Sequence, residues 1–116
     1  MVVASSLPEG DVDRIFHALA DQTRRDILRR TVQSGESVSI LSRHYEMSFA
    51  AVQKHVAVLE RAGLVTKERR GREQVVHANR VTVRKAMTLL DAYEQTWIQR
   101  IDQIADILTI TEGKSK

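Results

Sequence analysis

Apolar side chains recur along this chain at two different periods, and the switch between them divides it into elements. From Asp11 to Ala20, Ile15, Phe16 and Leu19 fall on one side of a first helix. Asp21 is placed to cap a second helix carrying Ile27, Leu28 and Val32, which ends at Ser34–Gly35. Ser39 is placed to cap a short third helix with Ile40, Leu41 and Tyr45. Ser48 is placed to cap a fourth, whose Val52, Val56, Leu59 and Ala62 recur at spacings of 4, 3 and 3 before Gly63 stops it. Two short helices joined by a tight link at Glu46–Met47 predict a helix-turn-helix.

After Gly63 the period shortens. Leu64–Val65–Thr66 and Val75–Val76–His77 are extended-type runs, and the charged stretch Lys67–Glu68–Arg69–Arg70–Gly71–Arg72–Glu73 lies between them. The pattern predicts a β-hairpin with a basic turn over residues 67–73. Asn79 can cap a last helix running to about Leu108, roughly 45 Å long at about 1.5 Å per residue. Val83, Met87, Leu90, Tyr93, Trp97, Ile101, Ile104 and Leu108 repeat along it at spacings of 4, 3, 3, 4, 4, 3 and 4. That approximates a heptad seam, widened by Ile98, Ala105 and Ile107. A helix this long, with no cover for its broad apolar face in so small a chain, predicts a homodimer.

The order is therefore α-α-α-α-β-β-α, mainly α with a small β-hairpin, in one domain over residues 11–109. Residues 1–10 read as a flexible N-terminal segment and 110–116 as a disordered tail. Composition agrees: 116 residues and 13.2 kDa suit one core, and only 4% aromatic residues disfavour an all-β fold. All five glycines fall between periodic segments, and the single proline, Pro8, precedes the first helix. The absence of cysteine removes disulfides, thiolate metal sites and thiol nucleophiles. It accords with a cytoplasmic location, in a prokaryotic cytosol or nucleoid. No apolar run approaches the roughly 18 residues of a membrane span, and Met1–Val2–Val3 opens no signal peptide.

The net charge of +3 changes the picture only when it is distributed. Residues 1–42 carry −1, residues 43–85 carry +6 and residues 86–116 carry −2. A basic block within a folded domain suits a polyanion, although a solvated surface would account for it as well. Inside this block the buried stripe of the fourth helix leaves Phe49, Ala50, Gln53, Lys54 and Ala57 facing outward. Gln53 offers a donor and an acceptor to adenine, and Lys54 reaches guanine or phosphate. Phe49 and Ala50 suit a thymine methyl, while Ser48 caps a helix start whose amides favour phosphate. His55 stands at the margin of the stripe, open to packing, to phosphate or to a base. Arg69, Arg70 and Arg72 crowd one hairpin tip, which is easier to rationalise with an anionic partner. Glu68 and Glu73 could neutralise part of that charge.

The run from Ser48 to Val65, with Gln53–Lys54–His55 followed by Leu59–Glu60–Arg61–Ala62–Gly63–Leu64, resembles the helix-to-wing signature of ArsR-type winged helix-turn-helix repressors. Upstream, Leu19–Ala20–Asp21–Gln22–Thr23–Arg24–Arg25–Asp26–Ile27–Leu28 is similar to that family's second-helix entry, and the likeness spans about residues 12–108. The resemblance implies a homodimer on a palindromic double-stranded DNA operator, blocking transcription until a signal releases it. The DNA-binding set would be Ser48, Phe49, Ala50, Gln53, Lys54, His55, Arg69, Arg70 and Arg72. The dimer interface would take Phe16 and Leu19 with Leu90, Tyr93, Trp97, Ile101, Ile104 and Leu108. Phe49 stands where polar residues are frequent in the family, so operator sequence does not transfer.

The family's metal-sensing routes are not expected here. Ser37–Val38–Ser39–Ile40 replaces the third-helix cysteine pair, the last helix has Asp91, Glu94, Asp102 and Asp106 but no histidine, and His17, His44, His55 and His77 are not paired at ligand spacing. No Gly-rich phosphate loop, Gly-x-Ser-x-Gly turn or histidine-activated nucleophile points to an enzyme, so no cofactor is expected. The sequence names no small-molecule inducer. A protein-interaction module whose basic face docks an acidic protein is the alternative, and the acid-free surface from Ser48 to Lys54 weighs against it.

Overall fold

The computed structural model describes residues 7–114, with side chains to residue 109. Two compact units divide these residues: one ends at Ala86, and the other is the last helix from Met87 onwards.

The first unit opens with α1 (Glu9–Leu19) and α2 (Gln22–Gln33). Pro8, at the N-cap of α1, makes no side-chain capping bond, and Glu9 and Asp11 supply negative charge to the first turn. The Asp21 carboxylate caps α2, accepting from the Arg24 backbone N–H at 3.0 Å as the sequence predicts. A two-residue strand, β1 (Glu36–Ser37), then precedes α3 (Val38–Ser42). Here the sequence reading is corrected. Ser37, not Ser39, is the cap, its Oγ accepting from Ile40 N–H at 3.1 Å. Tyr45 lies past the helix, in the turn leading to α4 (Phe49–Arg61). Ser48 caps α4 through Ala51 N–H at 3.1 Å, and a bond from Leu64 N–H to the Leu59 carbonyl closes its end.

Strands β2 (Val65–Arg70) and β3 (Glu73–Ala78) form an antiparallel hairpin that pairs Val65 with Ala78 and Arg70 with Glu73. The turn is thus two residues, Gly71–Arg72, and not the seven of the expected charged loop. Gly71 has φ +62° while Arg72 has negative φ, the combination a type II′ turn requires, with glycine first. β1 adds to the free edge of β3, giving the order β1-β3-β2.

Ile15, Ile27, Leu41, Val52, Val56, Leu59, Leu64, Val65 and Val76 are almost wholly buried and join α1, α2, α3, α4, β2 and β3 into one core. Each such side chain contributes about 1.5–3 kcal/mol of burial. Asn79 accepts from Thr82 N–H and starts α5 (Arg80–Lys114). This helix extends past the expected end near Leu108, so residues 110–114 of the expected tail are helical backbone. Residues 115–116 of that tail and 1–6 of the expected N-terminal segment lie outside the described residues. Within the second unit Met87, Leu90, Tyr93, Trp97, Ile98, Ile101, Ile104, Ile107 and Leu108 are exposed. No described helix is long and apolar enough to cross a membrane.

Candidate nucleic-acid interface

Helix α4 is fixed from beneath. Val52, Val56 and Leu59 bury one face of it, which leaves Phe49, Ala50, Gln53 and Lys54 exposed on the other. Four of the helix residues read as DNA-facing therefore share one surface, with Ser48 at its N-terminal edge. Phe49 stays 46% exposed, a large apolar ring in water at the very start of the helix.

His55 does not share that surface. Its side chain is half-buried against α2, with Nδ1 3.2 Å from the Arg24 guanidinium and 3.8 Å from the Asp21 carboxylate. Arg24 itself donates from Nε to the Ala18 carbonyl at 2.8 Å and from Nη2 to the His17 carbonyl at 3.1 Å, and Arg25 donates to the Leu19 carbonyl at 2.8 Å. The C-terminal carbonyls of α1, which carry partial negative charge, are thus met by two arginines. Asp21 is held below the usual carboxylate range, chiefly by the Arg24 backbone N–H, with His55 and the Arg24 charge assisting against desolvation.

A second anchor lies between α2 and the turn before α4. The Asp26 carboxylate accepts from Tyr45 Oη at 2.6 Å, from Arg30 Nε at 2.9 Å and from Arg29 Nη2. These donors, Tyr45 first, hold Asp26 far below its ordinary value. Burial and the bond to Asp26 push the Tyr45 hydroxyl up to about 12.

The hairpin sorts its charges by alternation, because opposed residues on antiparallel strands share a face. Val65 and Val76 are buried, so the side that carries them also carries Lys67, Arg69 and Gln74. The opposite side carries Thr66, Glu68, Arg70, Glu73, Val75 and His77. There Glu68 lies 3.3 Å from both Arg70 Nη2 and His77 Nε2, and Arg70 is the main cause of its lowered pKa. The three arginines that the sequence places in one cluster are therefore separated. Arg70 is neutralised on the outer side, Arg69 lies on the inner side, and Arg72 is at the tip.

Between α4 and the inner side of the hairpin runs a cleft. Its wider part, about 480 Å³, is lined by Val38, Ala50, Gln53, Lys54, Val56, Ala57, Lys67 and Gln74. A second part, about 280 Å³, is lined by Ser39, Phe49, Arg69, Arg72 and Glu73, and shares Val38, Gln53 and Gln74 with the first. Gln74 lies outside the sequence-predicted set, and Lys67 was visible there only as part of a charged turn. Strand alternation carried to residue 70 would have found both. Lys67 Nζ is 3.3 Å from Glu60 Oε1, which ties the base of the wing to the end of α4. Of the residues expected at the dimer interface, Phe16 is exposed while Leu19 packs against the core. Among the described residues no group of three or more His, Cys, Asp or Glu side chains could hold a metal ion.

No protein-family model matches the chain. It is 38% identical over 78 residues to the HTH-type transcriptional regulator YuzN of Bacillus subtilis (strain 168), covering 60% of this chain and 84% of that one. Among solved structures, an ArsR-like transcriptional regulator from Rhodococcus sp. RHA1 is 30% identical with a TM-score of 0.70, over 84% of this chain and 92% of that one. The Mycobacterium bovis protein Mb0332, a homodimeric winged helix-turn-helix DNA-binding domain solved by NMR, is 25% identical with a TM-score of 0.62, over 73% and 81%. A winged helix-turn-helix whose α4 is braced by α2 and faces the inner side of its wing, with 38% and 30% identity across most of the Bacillus and Rhodococcus relatives, places the chain plainly: it belongs to the ArsR family of helix-turn-helix transcriptional regulators.

Proposed function

We propose that the protein is a homodimeric, sequence-specific DNA-binding repressor that engages a palindromic operator through α4 and the wing. The observation that carries this reading is the exposed surface Ser48–Phe49–Ala50–Gln53–Lys54. It is free of acidic residues and stands beside Lys67, Arg69, Gln74 and Arg72. A helix start with small, apolar and amide side chains suits base edges in a major groove. A slim two-residue tip carrying Arg72 suits a minor groove or its phosphates. Repression, rather than activation, is what the family resemblance implies.

Dimerisation is supported by the exposed stripe Leu90, Tyr93, Trp97, Ile101, Ile104 and Leu108, with Phe16 exposed on α1, and by the homodimeric Mycobacterium bovis relative. Two-fold symmetry would present two α4 helices to half-sites a whole number of helical turns apart. Gln53 is assigned to base reading. Arg69 and Arg72, rather than the Glu68-paired Arg70, are assigned to sequence-independent attraction.

The test is electrophoretic mobility shift on the DNA upstream of the protein's own gene and on a scrambled duplex, at two salt concentrations. Preferential binding of the native duplex is expected. Gln53→Ala should erase most of the preference, and Arg72→Ala should weaken binding to both duplexes alike. No binding, or equal binding by the parent protein, refutes the reading.

A further inference from the structure

We propose that a pocket between α1 and the last turn of α4 binds a small organic anion, a carboxylate on a compact apolar body. The pocket, about 260 Å³, is lined by Arg14 and His17 of α1 and by Val58, Arg61 and Ala62 of α4. It shares no residue with either part of the cleft beside the wing. Phe49 and Arg61 are the first and last of the 13 residues of α4, so about 18 Å of helix axis separates them. A helix in a major groove meets base edges with its N-terminal residues. The proposed reading of DNA therefore leaves this end of α4 free for a different ligand.

The lining divides by chemistry. Val58 and Ala62 are one turn apart on α4 and so lie side by side on its surface. Ala62 is buried and Val58 packs against the core, which makes an apolar floor that is held in place. Arg14, His17 and Arg61 are exposed and surround that floor with two guanidiniums and an imidazole. Among the described residues no acidic side chain lines the pocket. Asp11 lies 2.9 Å from Arg14 Nη1 and offsets part of its charge, and Glu60, the neighbour of Arg61 in the chain, is turned to Lys67 at 3.3 Å. Asp13, one turn before His17, is not in the lining. The described residues supply the Arg61 guanidinium with no ion pair and no side-chain hydrogen bond, so it is the uncompensated cation of the group. A guanidinium takes a carboxylate through two parallel N–H donors. The apolar floor favours a hydrocarbon or aromatic body, which inorganic phosphate and sulfate lack. The volume sits just below the roughly 300 Å³ at which drug-sized ligands begin to fit, so the body is small.

The probe is benzoate, a carboxylate on one small ring. Titrated into the isotope-labelled full chain at fixed ionic strength and followed by amide chemical shifts, it should saturate with a dissociation constant of about 1 mM. The largest shifts should fall within residues 14–17 and 58–62. Acetate, which lacks the ring, and benzamide, which lacks the charge, should each bind about tenfold more weakly. Arg61→Ala should weaken benzoate about tenfold, and Arg61→Lys should recover only part of that loss. Arg43→Ala removes an arginine outside the pocket and should leave benzoate binding unchanged. Thermal unfolding of each variant checks that the fold is kept. Equal weakening by Arg61→Ala and Arg43→Ala means attraction to net charge alone and overturns the proposal. Shifts that never saturate, or that centre outside the pocket, overturn it too. Acetate as tight as benzoate overturns the apolar half of the assignment. No DNA is present in the titration, so its failure leaves the operator-binding reading standing.

Discussion

Replacing Tyr45 by phenylalanine tests the clasp that ties the turn before α4 to α2. The substitution removes only the hydroxyl, whose oxygen lies 2.6 Å from Asp26 Oδ2. A hydrogen bond to a charged acceptor contributes about 1.5–3 kcal/mol. Asp26 keeps Arg29 and Arg30 and its side chain is 26% exposed, so the lower end applies, about 1.5 kcal/mol at pH 7. The pH dependence is more discriminating. The tyrosine hydroxyl titrates near 10.0 in the unfolded chain and at about 12 in the fold. A pKa raised by folding stabilises below the unfolded value, and that contribution is lost as pH rises through the folded one. Two decades at about 1.36 kcal/mol each make an upper bound of about 2–3 kcal/mol, lost by the parent between pH 10 and 12. Tyr45→Phe has no such group and should unfold with a flatter alkaline limb. On the acid side Asp26, held low in the fold, stabilises above about pH 4 and loses that contribution as pH falls. Part of that depression comes from the Tyr45 hydroxyl, so the parent and Tyr45→Phe should converge in acid. The assay is urea unfolding followed by circular dichroism, at one protein concentration because the proposed dimer would make the midpoint concentration-dependent. Equal stability at pH 7, or an alkaline limb as steep in the variant as in the parent, refutes the reasoning.

Three further outcomes follow from the same geometry. A Cβ at Gly35 would collide with the His77 ring at Cε1 and Nδ1, so Gly35→Ala should cost about 1–3 kcal/mol in urea unfolding, and His77→Ala in that background should recover much of it. Arg24→Ala removes the donors to the Ala18 and His17 carbonyls and the contact with His55. It should destabilise by about 1–2 kcal/mol in the same assay, with little rescue by lysine, whose single ammonium cannot reproduce the guanidinium fork. Trp97→Asp places a charge in the exposed apolar stripe of α5 and should bring the mass in sedimentation equilibrium down to that of one chain. A mass unchanged from the parent's removes Trp97 from the proposed interface.

What the sequence discloses here is what is decided locally. Asp21, Ser48 and Asn79 are readable as caps because each bonds a backbone N–H three residues on, and that choice involves only the next turn of chain. Ser37 and Ser39 are both acceptable caps on local grounds, and the choice between them is made at a distance. Ser37 pairs with Val75 on β3, and that pairing sets where α3 can begin. The same dependence hides β1, two residues that become a strand only because β3 lies alongside. The length of the wing's strands was hidden for a related reason. Lys67–Glu68–Arg69–Arg70 has poor strand propensity, but cross-strand register with Gln74 and Glu73 extends the ladder to a two-residue turn. His55, at the margin of the stripe on a helical projection, could not be assigned to packing because the projection contains no α2.

The Asp21–Arg25 segment, part of the second-helix entry that contributes to the family resemblance, turns out to have an architectural task. Asp21 caps α2, Arg24 and Arg25 satisfy the end of α1, and Arg24 reaches on to His55 in α4. A few residues thereby fix three helices against one another, and α4 is held at an angle that points Phe49, Gln53 and Lys54 away from the core. None of these anchoring groups lines the cleft. The residues of this second-helix entry are therefore not those proposed to choose the operator. The positions proposed to face the groove, Phe49 above all, carry little of the packing. Substitution there should alter recognition at small cost in stability, whereas substitution at Arg24 should do the opposite.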